Sequence, residues 1–282
     1  MSTLTVLTVE VLKSRADEIQ EWIAGATEVT AVQHEKPGWD RVWLELYFDE
    51  ETAARLIGSA LSDAFELPVS YRPCEEQDWT TFWQHHFKPQ AIGKRLYICP
   101  VWDTDTPPPD DERIVVKVNP GLSFGTGEHF TTRFCLEALD ELCADGVPER
   151  IFDAGAGSAI IGIAAALLGC PEIIGVEHDP LAVANARENI VLNEVEGKVV
   201  VREMDLLHDW VEGTYPLVFA NLFSGLLMDL APQLIRTAGE HLVITGVRSI
   251  EADAVGDTFN QLGAREIRRD GDHEWCGMVF AV

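Results

Sequence analysis

Residues 150–168 read R-I-F-D-A-G-A-G-S-A-I-I-G-I-A-A-A-L-L, and this run constrains the fold more than any other stretch. The apolar pair Ile151 and Phe152 predicts a short strand that runs into Asp153. A loop of small residues follows (Gly155, Ala156, Gly157, Ser158), and then an apolar helix over 159–168. Strand, glycine turn and helix form the first half of a nucleotide-binding βαβ unit. Glycine at 155 permits a turn in which a Cβ would clash, and glycine at 157 lets a ligand approach the backbone. The helix start then offers unpaired N–H groups and a partial positive charge. Taken alone, these residues also suit a tight turn in an ordinary α/β sheet.

The acidic partner decides between the two. A second strand over 173–176 ends at Glu177, about 20 residues beyond Gly155, the spacing of a carboxylate that grips ribose hydroxyls. A nucleoside ligand is therefore expected. Pyrophosphate binding wants the full G-x-G-x-x-G, but Ile160 stands where the third glycine belongs. No G-K-S/T follows, which excludes a triphosphate loop. An adenosine with a small charged tail, such as S-adenosylmethionine, fits better than a dinucleotide.

A chain of 282 residues has room for one large domain or two modest ones. No run of eighteen apolar residues exists, so no membrane span is expected. Met1-Ser2-Thr3-Leu4 lacks the basic and apolar regions of a signal peptide. The six cysteines (74, 99, 135, 143, 170, 276) form no C-x-x-C pair and read as reduced, buried thiols of a cytoplasmic protein, with no zinc site. The net charge of −26 argues against direct nucleic-acid binding, which needs a basic face. It suits a basic protein partner; a salt-rich cytoplasm would favour the same balance, and both readings stand.

Ahead of the glycine turn, alternation over 3–11 predicts a strand, and Ser14 a cap for a helix to about 24 with Ile19 and Ile23 facing inward. Strands over 29–34 and 41–48 flank a turn at Pro37-Gly38; a helix from 49 or 50 to 61 and a strand over 67–72 follow. The order β-α-β-β-α-β is that of a ferredoxin-like split-βαβ module, assigned to residues 1–75 and suited to binding a partner. The linker, 76–92, places Trp79 and Trp83 one helical turn apart, as a hydrophobic hinge or as an aromatic rest for adenine or substrate. His85 and His86 are adjacent and make no metal pair. Strands over 95–101 and 113–118 flank an acidic, proline-rich loop.

Residues 119–133 read N-P-G-L-S-F-G-T-G-E-H-F-T-T-R and precede a helix predicted over 134–142. Three glycines make this loop costly to order, so it is expected to close over something, with 124–127 at its tip. Thr131 and Thr132 stand at the helix entrance as caps, or Thr132 contacts the polar tail of the cofactor. His129 reads equally as a neighbour of a methyl acceptor and as a structural residue. Beyond Glu177, Asp179-Pro180 opens a helix to about 192. A strand over 199–202 leads to Asp205, in reach of an adenine amino group. A strand over 217–220 ends at Asn221, on the carboxyl edge where open sheets bind ligands. A helix over 226–238, a strand over 241–245, a helix over 252–261 and an antiparallel pair over 264–269 and 275–282 complete the sheet.

D-A-G-A-G-S-A (153–159), G-V-E-H-D-P (175–180) and A-N-L-F (220–223) resemble the class I methyltransferase set. The loop P-G-L-S-F-G-T-G-E-H-F-T-T (120–132) is similar to the signature of the ribosomal protein L11 methyltransferase (PrmA) family. The N-terminal module, the W-x-x-x-W…F-K-P linker and Glu274-Trp275 extend this resemblance over nearly the whole chain. It implies an α/β fold: a Rossmann-like class I methyltransferase sheet over 93–282, mostly parallel with an antiparallel last strand, beside the small ferredoxin-like α+β domain, which would recognise a basic ribosomal protein. It implies cofactor contacts at Thr132, Gly155, Glu177 and Asn221. Asp153, Gly157 and Asp205 complete the candidate cofactor set, and Asn221 and His129 are the candidate catalytic residues. Four places depart from the family pattern: Ala159 for glycine, Glu177 for aspartate, Phe130 for proline, and Leu222-Phe223-Ser224-Gly225-Leu226 for I-L-A-x-P.

The implied activity is S-adenosylmethionine-dependent N-methylation of amino groups, lysine side chain or N-terminus, on ribosomal protein L11. A sulfonium is already activated, so no metal or covalent nucleophile is expected. The rivals are a class I enzyme acting on another protein or small-molecule amine, and a non-catalytic binding protein with this fold. A nicotinamide oxidoreductase is disfavoured by the missing third glycine and the antiparallel end. Leu222 after Asn221 departs from the N-P-P-Y/F motif of enzymes acting on glutamine or adenine.

Overall fold

The computed structural model describes residues 3–27, 29, 31–35, 39–75, 87–103, 106–108, 112–120 and 125–282. The chain divides into two compact units, Met1–Phe82 and Trp83–Val282. Trp79, Trp83, His85 and His86 of the linker, the turn at Pro37-Gly38 and the loop tip at Phe124 lie outside the described residues.

The first unit comprises β1 (Thr3–Leu12), α1 (Ala16–Ala26), β2 (Val32–Glu35), β3 (Arg41–Phe48), α2 (Glu51–Phe65) and β4 (Val69–Glu75). Its sheet runs β2-β3-β1-β4 with every neighbouring pair antiparallel, the split-βαβ arrangement. Period-2 alternation turns Val42, Leu44, Leu46 and Phe48 of β3 inward, onto Leu7, Val9 and Val11, and the two helices cover them with Ile19, Ile23, Ala54 and Leu61. Ser14 does not cap α1. Residues 13–15 form a single 3-10 turn, and the Ala16 N–H bonds back to the Lys13 carbonyl, so the backbone itself satisfies the helix entry. Helix α2 runs on to Phe65 and stops at Glu66 in the left-handed region (φ +54°).

The second unit opens with a small sheet of β5 (Gln90–Ile92), β6 (Leu96–Pro100) and β7 (Ile114–Val118). Then come α3 (Phe130–Leu142), β8 (Arg150–Ala154), α4 (Ile160–Leu168), β9 (Glu172–Glu177), α5 (Pro180–Leu192), β10 (Val199–Glu203), β11 (Tyr215–Asn221), α6 (Ser224–Thr237), β12 (Ala238–Arg248), α7 (Ala252–Gln261), β13 (Arg265–Gly271) and β14 (Trp275–Ala281). The large sheet has the order β10-β9-β8-β11-β12-β14-β13. It is parallel as far as β12 and antiparallel at β14 and β13. Strand order reverses between β8 and β11, and such a switch point leaves a crevice at the carboxyl ends.

Strand residues alternate between two cores. Ile151, Ile173, Leu217, Phe219 and Val243 face a cluster that includes Phe134, Ile163, Val183 and Ile190 of α3, α4 and α5. Phe152, Ile174, Val218, Leu242 and Ile244 face Leu227, Leu230, Leu234, Val255 and Phe259 of α6 and α7. With both faces covered, the central strands are apolar throughout, as buried parallel strands must be. The cysteines at 99, 135, 143, 170 and 276 are buried free thiols. Among the described residues no helix is long and apolar enough to cross a membrane.

Candidate functional site

Strand register puts Ala154, Val176 and Ala220 level with one another, so the turns after β8, β9 and β11 emerge together at the switch point. The backbone N–H groups of Gly155 and Ala156 both donate to the Val176 carbonyl at 2.9 Å, which pins the glycine turn to β9. Gly155 and Gly157 have φ of +81° and +52°, where a Cβ is strained. A Cβ on Gly155 would also lie 2.6 Å from Leu222 Cδ2, so the residue after Asn221 packs directly over the turn.

Glu177 closes the turn from the other side. Its Oε2 accepts from Gly157 N at 3.0 Å, and its Oε1 accepts from His178 N at 2.9 Å and Asp179 N at 3.1 Å. Backbone donors thus orient the carboxylate, and Oε2, with one bond made, retains capacity for another donor. Asp205 sits alongside, because Met204 N donates to the Glu177 carbonyl at 2.9 Å. The Asp205 side chain is half exposed, and its Oδ1 accepts from Leu207 N at 2.9 Å.

Ala159 is the cap of α4 in the left-handed region (φ +63°), not the first helical residue. Its methyl is part of the core shared by α4 and the sheet. A left-handed alanine costs roughly 1–2 kcal/mol. Burial of a methyl group returns about 0.8 kcal/mol, and avoiding glycine's unfolded-state entropy returns about 0.5–1 kcal/mol. These cancel, so Ala159→Gly is expected to shift the urea-unfolding free energy by less than about 1 kcal/mol; a loss of 3 kcal/mol would contradict this balance.

Two buried side chains beside the turn lack partners. Among the described residues, Asp153, 1% exposed at the end of β8, makes no hydrogen bond through either carboxylate oxygen, and neither does the Thr132 hydroxyl. Cys135, one turn along α3 from Thr132, feels the Asp153 charge, so the two elements face one another here. Burial, with the Glu177 charge adding to it, raises the Asp153 pKa to about 8. Buried polar groups are ordinarily bonded. An unpaired carboxyl with an unpaired hydroxyl near it fits a ligand whose tail carries an ammonium group.

Asn221 ends β11 on the opposite side of the crevice. Its Nδ2 donates to Thr131 Oγ1 at 3.3 Å, and that hydroxyl lies 2.8 Å from His129 Nδ1. The His129 ring packs edge-on against Trp275, with centroids 5.2 Å apart. Burial holds the imidazole below its ordinary pKa; Glu274 and Asp272 oppose this, and Arg133 reinforces it. The ring is therefore neutral at pH 7. Helix α3 begins at Phe130, four residues before the predicted start, and the cap is His129, whose Nδ1 accepts from Thr131 N at 3.4 Å. The capping role expected of Thr131 and Thr132 belongs to the imidazole, which leaves Thr132 unpaired. Phe130, at the first helical position where proline is also at home, stacks on Phe134. Trp275 escaped the sequence reading as a site neighbour: only the pairing of Arg248 with Trp275 across β12 and β14 brings it to this edge.

Asp153, Gly155, Gly157, Glu177 and Asp205 thus line the turns after β8, β9 and β10, while Thr132, His129 and Asn221 come in from α3 and β11. Among the described residues no group of three or more His, Cys, Asp or Glu side chains is placed to hold a metal ion.

Comparison with known proteins identifies the family. The family model described as ribosomal protein L11 methyltransferase (PrmA) matches residues 6–282. A protein of that name from Pelobacter propionicus is 40% identical over 214 residues, covering 73% of this chain and 67% of its own. One from Chloroflexus aurantiacus is 32% identical over 291 residues, covering 92% and 87%. Among solved structures, the ribosomal protein L11 methylase of Lactobacillus delbrueckii subsp. bulgaricus superposes with a TM-score of 0.62 at 24% identity, over 69% of this chain and 98% of that one; this likeness concerns the fold.

Proposed function

The chain belongs to the ribosomal protein L11 methyltransferase (PrmA) family, and from that premise we propose that it transfers a methyl group from S-adenosylmethionine to amino groups of ribosomal protein L11. The observation that carries the donor assignment is the buried, unpaired Asp153 and Thr132 beside a glycine turn whose carboxylate partner, Glu177, retains an open acceptor position.

When bound, S-adenosylmethionine supplies an activated methyl on a sulfonium. Gly155 and Gly157 would admit the nucleoside to the backbone, Glu177 Oε2 would accept from a ribose hydroxyl, and Asp205 would serve the adenine amino group. Asp153 would pair with the ammonium of the tail, and Thr132 would bond the same tail. Asn221 has its Nδ2 committed to Thr131, so Oδ1 is the atom that orients an incoming amine. An amine attacks only when neutral, and a lysine of ordinary pKa (~10.4) must first lose its proton. Burial of the acceptor beside Gly125, Thr126 and Gly127 would desolvate it and favour its neutral form. Most of the rate then comes from holding nitrogen, methyl and sulfur in line. The N-terminal unit, Met1–Phe82, recognises the substrate, and the overall acidity complements a basic ribosomal protein.

The test is incubation of the purified protein with L11 and methyl-labelled S-adenosylmethionine. Label on L11 amines is expected. Cofactor binding without label on L11 would replace this reading with another acceptor or with a non-catalytic role.

A further inference from the structure

Asn185 and Asn189 of α5 and Asn193 at its C-cap recur every four residues and so share one face. Asn189 is wholly buried (0% exposed), in a helix whose other buried residues are Ala182, Val183, Asn185, Ala186 and Ile190. Its Oδ1 accepts from Asn119 N at 2.7 Å; its Nδ2 donates to Asn119 O at 3.0 Å and to Ser158 O at 3.1 Å. Asn185 Nδ2 adds a bond to Asn119 O at 3.2 Å. Asn193 treats Lys117 in the same way, accepting from its N at 2.8 Å and donating to its O at 2.7 Å. Lys117 and Asn119 are two residues apart and face the same side of the extended chain. The side-chain amides therefore stand where the backbone of another strand would lie along the free edge of β7.

Asn119 opens the glycine-rich loop, and Ser158 belongs to the glycine turn. Ser158 Oγ in turn donates to Gly125 O at 2.6 Å. The loop thus departs at one fixed point and returns at another, and both are tied to Ser158. We propose that Asn189 is a positioning residue for donor binding: by joining Asn119 to Ser158 it fixes the glycine-rich loop against the nucleoside turn without touching the ligand. This rests on the donor site assigned above.

Asn189→Asp is the sharp variant. It keeps the shape and the acceptor for Asn119 N, but turns an oxygen toward two carbonyls. The dissociation constant for S-adenosylhomocysteine, measured by calorimetry, is expected to rise at least tenfold, with kcat at saturating donor within about threefold of wild type. Amide hydrogen exchange at Asn119 and over 125–128 in the ligand-free protein should accelerate at least tenfold. Asn193→Ala, which releases Lys117 instead, should lose stability with the dissociation constant unchanged. Wild-type affinity and exchange in Asn189→Asp, or equal weakening in Asn193→Ala, would overturn the proposal. Should Asn189→Asp fail to fold, Ser158→Ala removes only the Gly125 anchor and must weaken binding tenfold; unchanged binding there overturns it too. Failure of the wild type to bind S-adenosylhomocysteine would remove the donor site itself, a result separable from the exchange data, which read the clamp in the ligand-free protein.

Discussion

Asp153→Asn is expected to make the protein more stable and a poorer binder of its donor. At pH 7 the unfolded carboxyl, with a pKa near 3.8, is ionised, whereas the folded one, raised to about 8, holds its proton. Folding therefore takes up a proton, at a cost of about 1.4 kcal/mol for each pH unit above the unfolded pKa, or several kcal/mol at neutrality. The sign follows: the folded state binds more protons than the unfolded between pH 3.8 and about 8, so this group lowers stability progressively over that window and no further above it. Asparagine removes this penalty of about 4 kcal/mol, while burying its own unpaired amide costs about 1–3 kcal/mol; at roughly 2–4 °C per kcal/mol, a net gain of about 2–3 kcal/mol should raise the melting temperature by about 5–10 °C at pH 7. The gain should shrink as the pH falls toward 4. Binding moves the other way. A hydrogen bond to a charged group contributes about 1.5–3 kcal/mol, so S-adenosylhomocysteine should bind 10- to 100-fold more weakly. Wild-type affinity should climb from pH 6 to 8 as the carboxylate becomes available, and the variant should lose that dependence. Thermal scans and calorimetry across pH read both. A variant that is destabilised, or that binds as wild type, would show that Asp153 is a structural acid.

Asn221→Ala should leave the fold and the donor site nearly intact and cut turnover about 100-fold, the scale on which a misplaced reacting group is penalised. The fold survives because Thr131 Oγ1, on losing the Asn221 amide, keeps His129 Nδ1 at 2.8 Å, and the cap of α3 is unaffected. The donor site survives because Glu177, Asp153 and the glycine turn do not bond this side chain. Single-turnover transfer to L11, with donor affinity measured in parallel, distinguishes orientation from binding. A dissociation constant within about tenfold and a rate down 100-fold are expected; a wild-type rate would end the orienting role.

The parts of this site that the sequence made legible are those whose chemistry is local. A glycine needed at positive φ, an acid closing the next strand and a Pro after an Asp cap each announce themselves by residue type. So do the antiparallel last strands, because their closing turn at 270–272 is too short for a crossover helix. What stayed hidden depended on partners distant in the chain. Hydroxyls at Thr131 and Thr132 read as the caps of a helix starting at 134, yet the His129 ring, packed against Trp275, supplies the acceptor and α3 starts at Phe130. Ser14 has the right residue type for a cap, but a 3-10 turn had already satisfied the helix entry. Strand β5 has three residues and no periodicity to read. The asparagine ladder on α5 looks like a solvated helix face until β7 is placed against it. The missing partners of Asp153 and Thr132 are the clearest case, since only a folded core shows that no described residue reaches them.

The most direct test of a donor seated on the turn at Gly155 to Gly157 is a crystal structure with S-adenosylhomocysteine. The ribose hydroxyls should lie within hydrogen-bond distance of the Glu177 carboxylate and the amino group of the tail on Asp153. A nucleoside bound elsewhere, or Asp153 still without a partner in the complex, would contradict it.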